Sequence, residues 1–128
     1  MTRYKITLEY VGTNFSGWQR QKNNYSVQEA IESAAKKLLQ EDVALVVAGR
    51  TDAGVHAEGQ VAHFDIKKKF CSRKMTLGLN FHLKNEKFGS NISVKKAIKV
   101  NDNFNARFSA KKKLYQYLIY NSIYRSPI

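Results

Sequence analysis

Cysteine is nearly absent from this chain: Cys71 is the only one in 128 residues. One thiol excludes an internal disulfide and any zinc site built on paired cysteines. Proline is as scarce, and Pro127 marks an element boundary close to the last residue. No apolar run is long enough to span a bilayer, and Met1-Thr2-Arg3-Tyr4-Lys5-Ile6 lacks the apolar block of a signal peptide. A cytoplasmic location without a membrane partner is therefore expected. Acidic residues are also few, 10 against 22 Lys and Arg, for a formal charge of +12. Such an excess repels itself unless a polyanion screens it, which points to nucleic acid ahead of a merely basic, soluble surface. The 43% hydrophobic and 12% aromatic content is enough for a core, and the length fits one domain.

The order of elements is readable from periodicity. Tyr4, Ile6, Leu8 and Tyr10 alternate with Lys5, Thr7 and Glu9, the pattern of a half-buried strand. Val11 to Asn24 reads as a loop, and Ser26-Val27-Gln28-Glu29 as a capping box opening a helix. That helix puts Val27, Ala30, Ile31, Ala34, Leu38 and Leu39 on one face, with Glu32 and Lys36 paired on the other. Val43 to Val47 predicts a central strand buried on both faces. A strand follows with Ala62, Phe64 and Ile66 on one side, ending at Lys67-Lys68-Lys69. A weaker helix runs from Arg73 to Leu83 with Met75, Leu79 and Leu83 in one stripe and Gly78 inside it. Lys84 to Asn91 has no pattern, Ile92 to Val100 predicts a strand, and Leu114 to Tyr120 a last one. The order β-α-β-β-α-β plus one strand predicts an α+β, ferredoxin-like fold: a mainly antiparallel sheet with helices on one face and the other free for a ligand.

Two motifs fail on inspection. Gly12 and Gly17 have P-loop spacing, but Trp18 and Gln19 stand where Lys and Ser or Thr must bind phosphate and magnesium. His56-Ala57-Glu58 matches the His-x-Glu of zinc deaminases without their cysteine pair. His56, His63 and His82 are scattered, so neither a metal nor a cofactor is expected. Basic clusters do recur: Arg20 with Lys22, Lys67 to Lys69 with Arg73 and Lys74, Lys95 with Lys96 and Lys99, and Lys111 to Lys113. With Phe15, Trp18, Phe70, Phe108, Tyr115 and Tyr117 nearby, they fit neutralisation of an RNA backbone combined with base stacking.

The chemistry concentrates in Gly49-Arg50-Thr51-Asp52-Ala53-Gly54-Val55-His56, a Gly-rich turn after an apolar run. In an extended segment Arg50 and Asp52 point the same way, so the guanidinium can hold the carboxylate ionised. A lone ionised Asp suits nucleophilic or proton-transfer work, and not glycosidase chemistry, which needs paired carboxylates. A structural ion pair that only fixes the turn is the competing reading.

This segment resembles the signature of the tRNA pseudouridine synthase A (TruA) family. Gly12-Thr13-Asn14-Phe15-Ser16-Gly17-Trp18-Gln19, Ser26-Val27-Gln28-Glu29 and Gly59-Gln60-Val61-Ala62-His63-Phe64 agree with it in order and context. So do Phe104-Asn105-Ala106-Arg107-Phe108 and Lys113-Leu114-Tyr115-Gln116-Tyr117. The resemblance implies that Asp52 is the essential aspartate of a cofactor-independent isomerisation of uridine to pseudouridine in the anticodon stem-loop of tRNA, with the base flipped out. It implies that Tyr115 stacks on that base and that Arg50 pairs with Asp52 or holds the flipped nucleotide open. Arg20, His56, Gln60, Arg107 and Lys113 are expected RNA contacts. Family members are longer homodimers, so residues 1–128 resemble the N-terminal, aspartate-bearing domain without its C-terminal domain. A non-catalytic RNA-binding module is the alternative. Three departures stand out: Val11 where the family has Asp, Asn105 where it has His, and Lys84 to Ser90 in place of a shorter, Pro-containing turn.

Overall fold

The computed structural model describes residues 1–11, 26–49 and 57–108. Strand β1 (Thr2–Tyr10) buries every second residue, because Tyr4, Ile6, Leu8 and Tyr10 turn toward the helices while the residues between them face away. Helix α1 (Val27–Leu39) starts where the Ser26 hydroxyl accepts the Glu29 N–H at 3.1 Å. It ends at Gln40, whose left-handed backbone (φ 58°) lets its N–H reach the Lys36 carbonyl. Strand β2 (Val46–Val47) is followed by β3 (Ala57–Ile66), α2 (Ser72–Leu83), a 3₁₀ turn (Gly89–Asn91) and β4 (Ile92–Val100).

The strands lie in the order β2-β3-β1-β4, each antiparallel to its neighbour. This is the expected ferredoxin-like α+β arrangement, with both helices feeding one core. Met75, Leu79 and Leu83 of α2 are fully buried there, as their spacing predicts. Gly78 has a packing reason: a Cβ on it would stand 2.4 Å from Leu38 Cδ1 of α1, so the glycine lets the two helices approach. The expected extra strand, Leu114 to Tyr120, lies outside the described residues, as does most of the Val11–Asn24 loop.

Three expectations change. Val43 to Val47 is not a central strand buried on both faces. Only Val46–Val47 pairs, on one side, at the sheet edge among the described residues. Val43, Leu45 and Val47 face the core, Ala44 is exposed, and the Leu45 N–H is taken by the Glu32 carboxylate at 2.9 Å. Second, β4 does not keep one alternation. Thr7 pairs with Lys96 but Leu8 with Val94, so Lys95 is an extra residue in a bulge. Ile92 and Val94 face the helices, whereas Ile98 and Val100 fall on the opposite face beside Lys5 and Arg3. Third, residues 84–91 are not patternless. Phe88 adopts φ 56°, Glu86 pairs with Lys37 of α1, and Gly89 packs so closely that a Cβ would lie 1.7 Å from the Leu83 carbonyl oxygen.

Candidate functional site

Asp52, Arg50, His56, Arg20, Lys113 and Tyr115 lie outside the described residues; Gln60 and Arg107 lie within them. The attachment points of the Arg50–His56 segment are well defined. On one side, the Ala48 N–H donates to the Val61 carbonyl at 2.8 Å, and the Gln60 amide donates to the Gly49 carbonyl at 2.6 Å. On the other side, the chain rejoins β3 at Ala57, which pairs with Tyr10 of β1. Gln60, expected to touch RNA, thus holds Gly49, the residue before Arg50, through its side chain. Among the described residues, no atom lies within 4 Å of where a Cβ at Gly49 would stand.

Val11, where the chain enters the Gly12–Tyr25 segment, reaches the same end of the sheet and donates its N–H to the Asn91 carbonyl at 2.9 Å. A cleft of about 490 Å³ opens there, lined by Glu9, Tyr10, Val11, Glu58 and residues 90–93. Glu9 is paired with Lys95 at 2.8 Å. With two carboxylates and the polar groups of Ser90, Asn91 and Ser93, the cleft suits neutral hydrogen-bonding groups better than phosphate.

The sheet face away from the helices is partly covered by residues 101–108, held at two points. Arg3 grips Asp65 through both carboxylate oxygens, at 2.8 and 3.0 Å, and donates to the Asp102 and Phe104 carbonyls. This bidentate pair holds the Asp65 carboxyl below the usual carboxylate range, the Arg3 hydrogen bond being the main cause. One row along, His63 is 3% exposed, its Nδ1 accepts the Ala106 N–H at 3.1 Å, and the Phe104 ring meets it edge-on. Burial pushes the His63 imidazole below its ordinary value, with the Arg3 charge adding to the shift and Asp65 opposing it. The acceptor role fixes the neutral tautomer, with the proton on Nε2. Asn105 accepts the Phe108 N–H at 3.1 Å and caps the helical residues that begin at 106, which gives that departure from the family pattern a local role. Arg107 and Phe108 are both exposed. Gln60 and His63 are three residues apart on β3, roughly 10 Å, so one strand carries both the hold on Gly49 and the anchor of Ala106.

Sequence reasoning missed the Arg3–Asp65 clamp and the anchoring role of His63. The clamp joins residues 62 apart and leaves no local signal. In the sequence His63 is one of three scattered histidines and a member of the Gly59–Phe64 segment, and neither setting signals an anchor. No helix among the described residues is long and apolar enough to cross a membrane.

The profile of a family described as tRNA pseudouridine synthase matches residues 6–109. The tRNA pseudouridine synthase A of Caldicellulosiruptor saccharolyticus is 49% identical over 128 residues, all of this chain and 50% of that protein. The proteins of the same name from Ehrlichia canis and Wolbachia pipientis wMel are each 52% identical over 120 residues, 93% of this chain and 47% of theirs. The chain spans about half the length of these relatives. With the profile covering most of its length and such identity from end to end, the chain belongs to the tRNA pseudouridine synthase family.

Proposed function

We propose that this chain is the N-terminal, aspartate-bearing half of an enzyme that isomerises uridine to pseudouridine in the anticodon stem-loop of tRNA, with Asp52 as its reactive group. The observation that carries the reading is the sequence Gly49-Arg50-Thr51-Asp52-Ala53-Gly54-Val55-His56, which resembles the family's signature. The described residues on either side of it, Ala48 with Gly49 and Ala57, are tied to β3 and β1. In the reaction the N1–C1′ bond breaks, the uracil turns, and a C5–C1′ bond forms. The C5 proton is lost to solvent and N1 gains one, so no redox partner or energy source enters. Asp52 attacks the uracil ring or C1′, or takes the proton; all three roles need an ionised carboxylate, which the Arg50 guanidinium favours. The target base leaves its stack to be reached, and Tyr115 packs against it. Arg20, His56, Gln60, Arg107 and Lys113 contact the RNA around it. The full-length protein acts as a cytoplasmic homodimer.

Tritium release from C5-labelled uridine in tRNA tests this, with wild type beside Asp52→Ala. Release by the wild-type chain alone supports the reading. Equal release from both removes Asp52 from the chemistry. No release from either, with salt-sensitive tRNA binding intact, makes this half a binding module that turns over only with the remainder of the protein.

A further inference from the structure

The end of the sheet opposite Ala57 carries a basic surface. Lys67, Lys68 and Lys69 leave β3, and Arg73 and Lys74 open α2; all five are exposed. None makes an ion pair among the described residues. The register places exposed Lys99 of β4 beside Tyr4, at the same end. Two carboxylates lie nearby, and the five cations outnumber them: Glu41 accepts the Lys67 backbone N–H at 2.8 Å and keeps its charge, while Asp42 pairs with Lys36 at 3.0 Å. The connection that bears these cations is held firmly. The buried Tyr4 hydroxyl donates to the Phe70 carbonyl at 2.6 Å and accepts the Phe70 N–H at 2.8 Å. Clustered charge that the protein holds in place and leaves unpaired is suited to a polyanion.

Resting on the reading above, we infer that Lys67–Lys69, Arg73 and Lys74 form a second RNA contact, gripping the phosphate backbone of the tRNA body away from the reacting uridine. The spacing supports this. β1 runs from Thr2, paired with Ile66 at the basic end, to Tyr10, paired with Ala57, the residue after His56. Its length is roughly 27 Å, a span of many base pairs along an RNA helix. An RNA reaching both ends extends well beyond a short loop, so this contact discriminates a whole tRNA from a small hairpin bearing the same uridine.

Cys71, exposed and flanked by these cations, is a built-in reporter. The backbone N–H groups of Lys74 and Arg73 at the start of α2 favour the thiolate and pull the thiol below its ordinary value, which favours alkylation. The experiment measures the Cys71 alkylation rate in the full chain, free and at saturating tRNA or saturating short hairpin. It also measures the salt dependence of tRNA binding for wild type and for Lys67→Ala/Lys68→Ala/Lys69→Ala. The expected result is protection by tRNA and less by the hairpin, with the salt slope of the variant reduced by roughly 2–3 and its affinity down about tenfold or more. Unchanged alkylation while tRNA is bound, or an unchanged slope in the variant, overturns this inference and leaves the proposed function standing. Absence of any tRNA binding overturns both. Shielding of Cys71 by anionic vesicles and not by tRNA assigns the surface to a membrane and overturns it as well.

Discussion

Replacing His63 by Phe tests whether one imidazole holds the Phe104–Phe108 turn on the sheet. His63 and Ala106 are both buried, at 3% and 0% exposure, and the Ala106 N–H has the Nδ1 of His63 as its acceptor at 3.1 Å. A phenyl ring fills similar space but accepts nothing. The stranded N–H then costs about 1–3 kcal/mol, which the more apolar ring partly offsets. A net loss of about 1–2 kcal/mol is expected, read as a fall in Tm of about 4–8 °C. The loss depends on pH with a definite sign. The folded His63 titrates below its unfolded value of 6.5, so the unfolded chain binds the extra proton between the two values. The stabilisation is complete above pH 6.5 and drains away as pH falls toward the folded value. Urea unfolding of wild type and His63→Phe at pH 7.5 and pH 5 should therefore show a gap that narrows in acid. A gap below about 0.5 kcal/mol at pH 7.5, or one equal at both pH values, refutes the assignment of His63 as a neutral acceptor.

Arg3→Met removes the grip on Asp65 and on the Asp102 and Phe104 carbonyls. Because the pair is 20% and 34% exposed, solvent screening limits the loss to about 1–2 kcal/mol. Asp65 titrates below 3.8 when folded, so this stabilisation is present above pH 3.8 and is lost as pH falls through the folded value; melts at pH 7 and pH 3 should show the wild-type advantage closing. Gly89→Ala forces a Cβ to within 1.7 Å of the Leu83 carbonyl oxygen, and that backbone cannot step aside while α2 keeps its last turn. A loss of more than about 2 kcal/mol in urea unfolding is expected, and an unchanged midpoint would contradict the packing of the α2–β4 connection.

What the sequence makes legible is what adjacent residues enforce on one another. The alternation of Tyr4, Ile6, Leu8 and Tyr10 and the Ser26 cap each state a local geometry, and the fold follows from their order. The bulge at Lys95 has no such statement. Ile92, Val94, Ile98 and Val100 share one parity in the sequence, and only the pairing with β1 shows that the extra residue divides them between two faces. The thinness of β2 was hidden for a related reason: a β-branched run signals a strand but not how many partners it finds. At the site, periodicity leads to a Gly-rich turn with Arg50 and Asp52, while the roles of Tyr115, Gln60 and Arg107 come from resemblance alone. The structural duty of Gln60 depends on a carbonyl eleven residues away, which no spacing rule anticipates.

The position of β1 in the middle of the sheet also sets an order of events during synthesis. Its two neighbours are residues 57–66 and 92–100, so neither edge of β1 can be satisfied until those stretches exist. From Tyr10 to Val100 the ribosome adds about ninety residues, which takes roughly 5–20 s. Through that interval the strand that will bury Tyr4, Ile6 and Leu8 remains an open-edged apolar segment on the nascent chain, and shielding it falls to whatever binds such segments as they emerge.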